Sequence, residues 1–265
     1  MPQFLLGLLL ALIIAFLAYR AHSLSRSGAY AAILVGTLIF GLGGWQWAVI
    51  LLTFFISSSA LTRLFGKRKA ALNEKFGKGG QRDTAQVLAN GAVASLFAGL
   101  HFFFPASAWL WLAFAASMAA VNADTWGTEL GVLNPAPPRL IINGKSVEGG
   151  TSGAISFYGT LSALIGAALI AILAAGLSPY NHSSHITYYF LLITLAGITG
   201  ALFDSLLGAS VQAIYRCPKC DKETERHPVH TCGAQTTQIR GWKWLNNDMV
   251  NLACATVGAI IGLLL

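Results

Sequence analysis

Charged residues are scarce in this sequence. Only 10% of the 265 residues are charged, whereas 55% are hydrophobic, and a typical soluble domain is roughly 25% charged. So few charged side chains cannot cover a water-exposed surface, which excludes an ordinary soluble globular protein. The apolar residues also lie in long blocks, and a membrane-spanning helix needs about 20 of them. The composition therefore predicts an integral membrane protein.

Glycine, proline and charged residues divide these blocks into about eight predicted spans. No Lys or Arg precedes the first span, so we interpret it as an anchor and not as a signal peptide. The predicted fold is an all-α, polytopic transmembrane bundle that forms one integral membrane domain over 1–265, with the cytoplasmic loop 213–243 inserted in it. The spans are expected near residues 3–19, 29–43, 45–62, 84–104, 107–123, 153–175, 187–212 and 247–265.

Basic residues are absent from every second connection between the predicted spans. All 17 Lys and Arg fall in 20–28, 63–83, 124–152 and 213–246, and short loops rich in Lys and Arg stay in the cytoplasm. We therefore expect the N-terminus outside and a cytoplasmic active face, in the cell or inner membrane. The net charge of +7 is typical of a protein whose basic segments bind anionic lipid headgroups. Membrane lipids and not nucleic acid are therefore the predicted partners.

Acidic residues are rarer still, and four of them lie at the predicted cytoplasmic ends of spans: Asp124, Glu129, Asp204 and Asp248. Ionisable residues within membrane spans are costly and by default mark function. Their oxygens are the ligands that Mg²⁺ prefers when it holds phosphates. The pattern favours a magnesium site, although a solvated loop would also explain the first two acids.

Amide side chains accompany these acids. Asn122 precedes Asp124, while Asn247 and Asn251 lie within a helical turn of Asp248. At the start of the fourth span, Asp83 and Asn90 share a helix face. Asn247 and Asp83 could instead be plain helix caps.

A glycine-rich turn, Gly149-Gly150-Thr151-Ser152-Gly153, is predicted to open the sixth helix, after Arg139 and Lys145 in the preceding loop. Glycine lets the backbone approach an anion, and helix N-termini bind phosphate. The turn does not end in the Gly-Lys-Ser/Thr of a Walker sequence. A phosphate site and a plain capped turn therefore both remain open.

Cysteine is almost confined to the loop 213–243, which contains Cys217, Cys220 and Cys232 beside His227 and His230. These are zinc ligand types, and disulfides are rare in the cytoplasm. The loop therefore predicts a closed, structural zinc site with Cys217, Cys220, Cys232 and one histidine. His230 is preferred over His227 as the fourth ligand.

Five ordered sequence blocks resemble the membrane family of domain of unknown function 92, which includes animal transmembrane protein 19 and plant phytyl-phosphate kinase. The blocks run from Arg82 to Gly91, Ala123 to Gly131, Gly149 to Gly153, Asp204 to Ala209 and Asn247 to Asn251.

The resemblance implies phosphoryl transfer from a nucleoside triphosphate, with CTP foremost, to an isoprenyl monophosphate. Asp124, Glu129, Asp204 and Asp248 would then be catalytic magnesium ligands or orienting groups. The predicted nucleotide and phosphate binders are Arg82, Asp83, Asn90, Asn122, Arg139, Lys145, Gly149, Gly150, Thr151, Ser152, Gly153, Asn247 and Asn251.

Two other functions compete with this kinase. A cytidylyltransferase that makes a CDP-lipid would use the same metal, nucleotide and phosphate. A transporter would need polar groups near the bilayer midplane and usually repeated halves, and the sequence offers neither.

Overall fold

The computed structural model describes residues 2–69, 75, 77, 79–180 and 185–264, with the backbone alone at 67–69. These residues form eight long helices, and a π-helical turn at Ile39–Gly43 extends the second helix. The predicted all-α membrane bundle is thereby confirmed. The helices are α1 (Pro2–Arg20), α2 (Arg26–Leu38), α3 (Trp45–Lys69), α4 (Thr84–Phe103), α5 (Ala108–Gly131), α6 (Phe157–Leu177), α7 (Ile186–Ser210) and α8 (Asn247–Leu264).

Helix α5 is the centre of the bundle. It packs against α3, α4, α6, α7 and α8, and every residue from Leu110 to Ala123 is buried. The other seven helices, with α2 counted together with its π-helical turn, are long and apolar enough to cross a membrane, whereas the alanine-rich α5 is not among them. Because its neighbours shield it from lipid, α5 can carry polar residues at low cost.

Small residues allow α7 and α8 to approach α5 closely. A Cβ atom at Gly197 would lie 2.9 Å from the Cβ of Ala119, and one at Gly258 would lie 2.7 Å from that of Ala120. Such contacts between small residues are typical of membrane helices, where tight packing drives association.

Helices α1 and α2 form the periphery. α1 packs against α2 and the π-helical turn, and it buries only Gly7, Ala11, Ala15 and Ala18. Its large side chains, including Leu5, Phe16 and Leu17, are exposed, as expected for a helix that faces lipid.

Five short strands lie in the connections at one end of the bundle. β1 (Arg139–Leu140) pairs antiparallel with β2 (Ala154–Ile155). β3 (Ile214–Cys217) lies between β4 (Lys222–Thr224) and β5 (Thr237–Arg240) in a three-stranded antiparallel sheet. The predicted loop 213–243 is therefore folded, and we call its residues 214–240 the lid.

Three predicted boundaries are wrong. The third span continues seven residues beyond 62 to Lys69. The fifth span continues eight residues beyond 123 to Gly131, because Gly127 and Gly131 let this end of α5 pack closely against Gly159 of α6. The glycine turn does not open α6: β2 follows it, and the N-cap of α6 is Ser156, whose hydroxyl accepts a hydrogen bond from the amide of Gly159 at 3.1 Å.

Candidate functional site

A cavity of about 690 Å³ opens at the end of the bundle that carries the lid. It lies among the C-terminal ends of α3, α5 and α7 and the N-terminal ends of α4, α6 and α8. Consecutive antiparallel helices bring these ends together. Every Lys and Arg that the structure describes lies in the connections at this end or in the helix ends that adjoin them.

Five of the ten acidic residues of the chain line this one cavity. The sequence predicted four of them, Asp124, Glu129, Asp204 and Asp248, and the fifth is Glu225 of the lid. Among the described lining residues, the cationic side chains are Arg82 and Lys243. The cavity is therefore acidic, although the chain as a whole is basic.

Asp204 lies close to two other acids of the cavity. The carboxylates of Asp124 and Glu225 are close enough to act electrostatically on it. Its Oδ2 atom is buried and has no hydrogen-bond partner among the described residues. Several carboxylates in a partly buried site repel one another unless a cation compensates them, so this donor set fits a hard divalent cation such as Mg²⁺.

Glu129 forms the wall of the cavity toward α3. It is only 5% exposed, and its Oε1 accepts a hydrogen bond from the hydroxyl of Thr62 at 2.9 Å. Arg82 lies close enough to interact electrostatically with it. The Arg82 guanidinium donates hydrogen bonds to the hydroxyls of Ser58 and Ser59, both at 2.8 Å. These two hydrogen bonds fix the Arg82 side chain against α3, beside Glu129.

The glycine turn, residues 149–153, forms another wall of the cavity. Gly150 and Gly153 both have a φ of +77°, a conformation that glycine adopts without strain. A side chain at Gly153 would also collide with the backbone of Ala209. The amides of Gly150 and Ser152 donate no hydrogen bond to a described residue, and both residues line the cavity.

A hydrogen-bond network connects this turn to the lid. The buried Gln212, which follows α7, accepts a hydrogen bond from the Ser152 hydroxyl at 2.7 Å and donates one to Glu225 Oε1 at 3.0 Å. Glu225 Oε2 accepts from the amide of Gly77 at 3.2 Å. The amide of Glu225 donates to the carbonyl of Lys75 at 2.9 Å. Gln212 therefore connects two walls of the cavity, the glycine turn and the lid.

The side of the cavity toward α6 and α7 is apolar. It is lined by Ala163 of α6 and by Ile198, Ala201 and Leu202 of α7. Leu202 is also 37% exposed on the bundle surface. One cavity thus joins a carboxylate cluster at the end of the bundle to an apolar region between two membrane helices.

The structure does not bring four of the predicted binding residues to the cavity. Asp83 is the N-cap of α4 and forms a capping box with Gln86. Asn122 is fully buried: its Nδ2 donates to the carbonyl of Gly166 at 2.7 Å, and its Oδ1 accepts from the Ser57 hydroxyl. Arg139 donates to the carbonyl of Gly144 at 2.9 Å, and Lys145 lies exposed in the same hairpin.

The other nine predicted binding residues do line the cavity: Arg82, Asn90, Gly149, Gly150, Thr151, Ser152, Gly153, Asn247 and Asn251.

Sequence reasoning missed Glu225, Lys243 and Thr62 at the cavity. Glu225 lies among the charged residues of the lid, and no spacing distinguishes it from Glu223. Its role depends on the fold of the lid. Thr62, four residues after Ser58 on α3, could have been found as part of a polar helix face.

The lid contains a compact cluster of Cys217, Cys220, His230 and Cys232, whose ligand atoms all lie within 4.8 Å of one another. The Sγ atoms of Cys217 and Cys232 are 3.5 Å apart, and Nδ1 of His230 is 3.3 Å from Cys232 Sγ. The hydrogen bond with His230 lowers the pKa of the Cys232 thiol to about 6. His227 lies outside the cluster, where it stacks on Tyr215 with ring centroids 4.4 Å apart.

Comparisons with known proteins agree with this architecture. A family model described as integral membrane protein DUF92 matches residues 9–259. The chain is 33% identical to protein PGR of Arabidopsis thaliana, over 94% of this chain and 92% of that protein. It is 32% identical to an uncharacterised membrane protein of Methanocaldococcus jannaschii, over 98% and 92%. The chloroplast protein VTE6 of Arabidopsis thaliana is 27% identical, over 91% of this chain and 65% of its own length. No solved structure matches the chain.

Proposed function

Since this chain belongs to the integral membrane protein DUF92 family, we propose that it transfers a phosphoryl group from a nucleoside triphosphate, with CTP foremost, to an isoprenyl monophosphate. The product is the isoprenyl diphosphate. One observation carries the proposal: a single cavity joins five carboxylates and a glycine turn to an apolar region between α6 and α7.

The shape of the cavity suits a substrate with two unlike ends. An isoprenyl tail stays in the hydrocarbon core of the membrane, beside Ala163, Ile198 and Leu202, while its phosphate lies at the surface with the soluble nucleotide. The amides of Gly150 and Ser152 are the proposed ligands of the nucleotide phosphates. Lys243 adds positive charge to the lining of the cavity.

The acidic residues have a separate role in this proposal. Asp124, Asp204 and Asp248 would hold Mg²⁺, with Glu129 and Glu225 beside them as orienting groups. When bound, magnesium neutralises charge on the phosphates, which is the main requirement of phosphoryl transfer. The side chains of Asn90, Asn247 and Asn251 would orient the substrates by hydrogen bonds.

In the proposed reaction, an oxygen of the isoprenyl phosphate attacks the γ-phosphorus of the nucleotide. A new P–O bond forms, the bond from the γ-phosphorus to the bridging oxygen breaks, and the nucleoside diphosphate leaves. Little covalent chemistry falls to the protein, so positioning of the two substrates is its main contribution.

The assay uses the purified full chain in lipid nanodiscs with Mg²⁺, CTP, and phytyl, geranylgeranyl or farnesyl phosphate. We expect isoprenyl diphosphate and CDP as products, identified by mass spectrometry. A CDP-isoprenoid with release of pyrophosphate would identify the competing cytidylyltransferase instead. Absence of any lipid product with all four common nucleoside triphosphates would reject both enzymes.

We further propose that the cavity faces the cytoplasm and that the N-terminus lies outside, because the basic residues gather at the cavity end. A membrane-impermeant thiol reagent should label Ala106→Cys, between α4 and α5, in intact cells. It should not label Lys145→Cys. The reverse pattern would invert the orientation.

A further inference from the structure

We propose that Cys217, Cys220, His230 and Cys232 bind one structural zinc ion, and that this ion fixes the lid as one wall of the cavity. The inference does not depend on the reaction proposed above. It concerns a second metal site, built from different ligands and located outside the membrane helices.

The geometry of the cluster matches tetrahedral zinc. With Zn–S near 2.3 Å and Zn–N near 2.05 Å, the edges of a tetrahedron are about 3.8 Å between two sulfurs and about 3.6 Å between sulfur and nitrogen. The corresponding distances here are 3.5 Å and 3.3 Å. A disulfide would need sulfurs about 2.05 Å apart, and all four cysteines of the chain are free thiols.

Two hairpin turns supply the ligands. Cys217 ends β3 and Cys220 follows in the turn to β4, as in the Cys-x-x-Cys half of a zinc ribbon. His230 and Cys232 lie in a second turn, closed by the antiparallel bridge between Val229 and Gln235. In that turn the amide of His230 donates to the carbonyl of Ala234 at 2.9 Å.

Burial supports a metal over free thiols. Cys217 is fully buried and His230 is 3% exposed, so two of the four ligands lie where water cannot replace a metal as their partner. A small three-stranded sheet has little apolar core, and domains of this size commonly need a metal or disulfides for stability.

The cluster is connected to the cavity through the strands of the lid. β3 carries Tyr215 two residues before Cys217, and β4 leads directly into Glu225 and His227. All three side chains line the cavity. The zinc ion would therefore set the position of Glu225, which Gln212 connects to the glycine turn.

The first test is the metal content of the purified full chain. We expect about one zinc ion per chain, lost in Cys220→Ser and Cys232→Ser and kept in Cys254→Ala, whose thiol lies in α8. Wild-type protein with no zinc, or with iron in its place, would overturn the proposal.

Histidine variants make the test independent of folding defects. His230→Ala should lose zinc, whereas His230→Cys should keep it, because four thiolates also form a good zinc site. His227→Ala, in the same lid but outside the cluster, should keep zinc. Zinc retention in His230→Ala together with loss in His227→Ala would reject this ligand set.

The second test concerns the position of the lid. Trypsin should cut zinc-free Cys220→Ser within 214–240 while the membrane helices stay intact, and it should spare the lid of wild-type protein and of Cys254→Ala. Equal protection of the lid with and without zinc would refute a structural role for the ion.

Discussion

The carboxylate cluster of the cavity and the Cys/His cluster of the lid lie at the same end of the bundle, but they are built from opposite kinds of ligand. The cavity offers hard oxygen ligands from α5, α7, α8 and the lid. The lid offers three thiols and one imidazole from two adjacent turns. Magnesium prefers the first set and zinc the second.

The two clusters also differ in access. Four ligands within 4.8 Å of one another complete a tetrahedron and leave no position for a substrate. The cavity remains open, with room for phosphate groups beside its acids. As proposed above, the open cavity would hold a catalytic magnesium ion and the closed cluster of the lid a structural zinc ion, both at one end of the same bundle.

The largest expected effect comes from omission of magnesium. Without a divalent cation, phosphoryl transfer should fall to background, because repulsion among the five acids and the substrate phosphates is uncompensated. Zinc should stay bound, since structural zinc sites contribute on the order of 10 kcal/mol. The rate of phosphoryl transfer and the zinc content are measured on the same sample. Full activity in magnesium-free buffer would contradict a catalytic magnesium ion in the cavity.

Substitution of single acids should have the next largest effect. Asp124→Asn and Asp248→Asn keep size but lose charge, so the rate should fall about 100-fold, or roughly 2.7 kcal/mol, as for loss of one transition-state contact. The zinc content should not change. The exposed lid residue Asp221 supplies the control, Asp221→Asn, which should be silent. Near-wild-type rates for both cavity variants would argue against the mechanism.

A smaller effect is expected where the clusters are connected. Gln212→Ala removes the partner of Ser152 and Glu225, and loss of buried hydrogen bonds costs about 1–3 kcal/mol. We expect about a tenfold lower rate with zinc retained. Kinetics and metal analysis provide the test, with the exposed Gln235→Ala as the control. Equal rates for the two variants would mean that the network does not position the cavity.

The smallest effect is expected at Asp83. Its carboxylate accepts a hydrogen bond from the amide of Gln86 at 2.9 Å, and asparagine caps helices about as well. Asp83→Asn should therefore leave the rate unchanged, whereas Asp83→Ala should lower the free energy of unfolding by about 1 kcal/mol. A large loss of rate in Asp83→Asn, measured beside Asp124→Asn, would place Asp83 in the cavity chemistry instead.

Much of this arrangement can be predicted from the sequence, because the bilayer imposes simple rules. Apolar length indicates the spans, and the distribution of Lys and Arg shows which helix ends lie together. Four of the five cavity acids follow from these two patterns. The ligand set of the lid follows from residue types, and the structure groups His230 and not His227 with the thiols.

The parts that could not be predicted depend on tertiary contacts. Asn122 looks like a site residue beside Asp124, but α5 turns it toward Ser57 and Gly166. Glu225 becomes a cavity residue only because the lid folds over the bundle. The end of α5 at Gly131 depends on the close packing of Gly127 and Gly131 against Gly159 of α6 and not on apolar composition.

The most direct measurement of the central claim is Mn²⁺ binding to zinc-loaded protein, followed by electron paramagnetic resonance with CTP present. We expect wild-type protein to bind Mn²⁺ and Mg²⁺ to compete for the same site. Asp204→Asn should weaken Mn²⁺ binding at least about tenfold through loss of one ligand charge. His230→Cys should bind Mn²⁺ like wild type. If wild-type protein binds no Mn²⁺, or if Asp204→Asn binds it equally well, the carboxylates of the cavity are not a metal site and the account is contradicted.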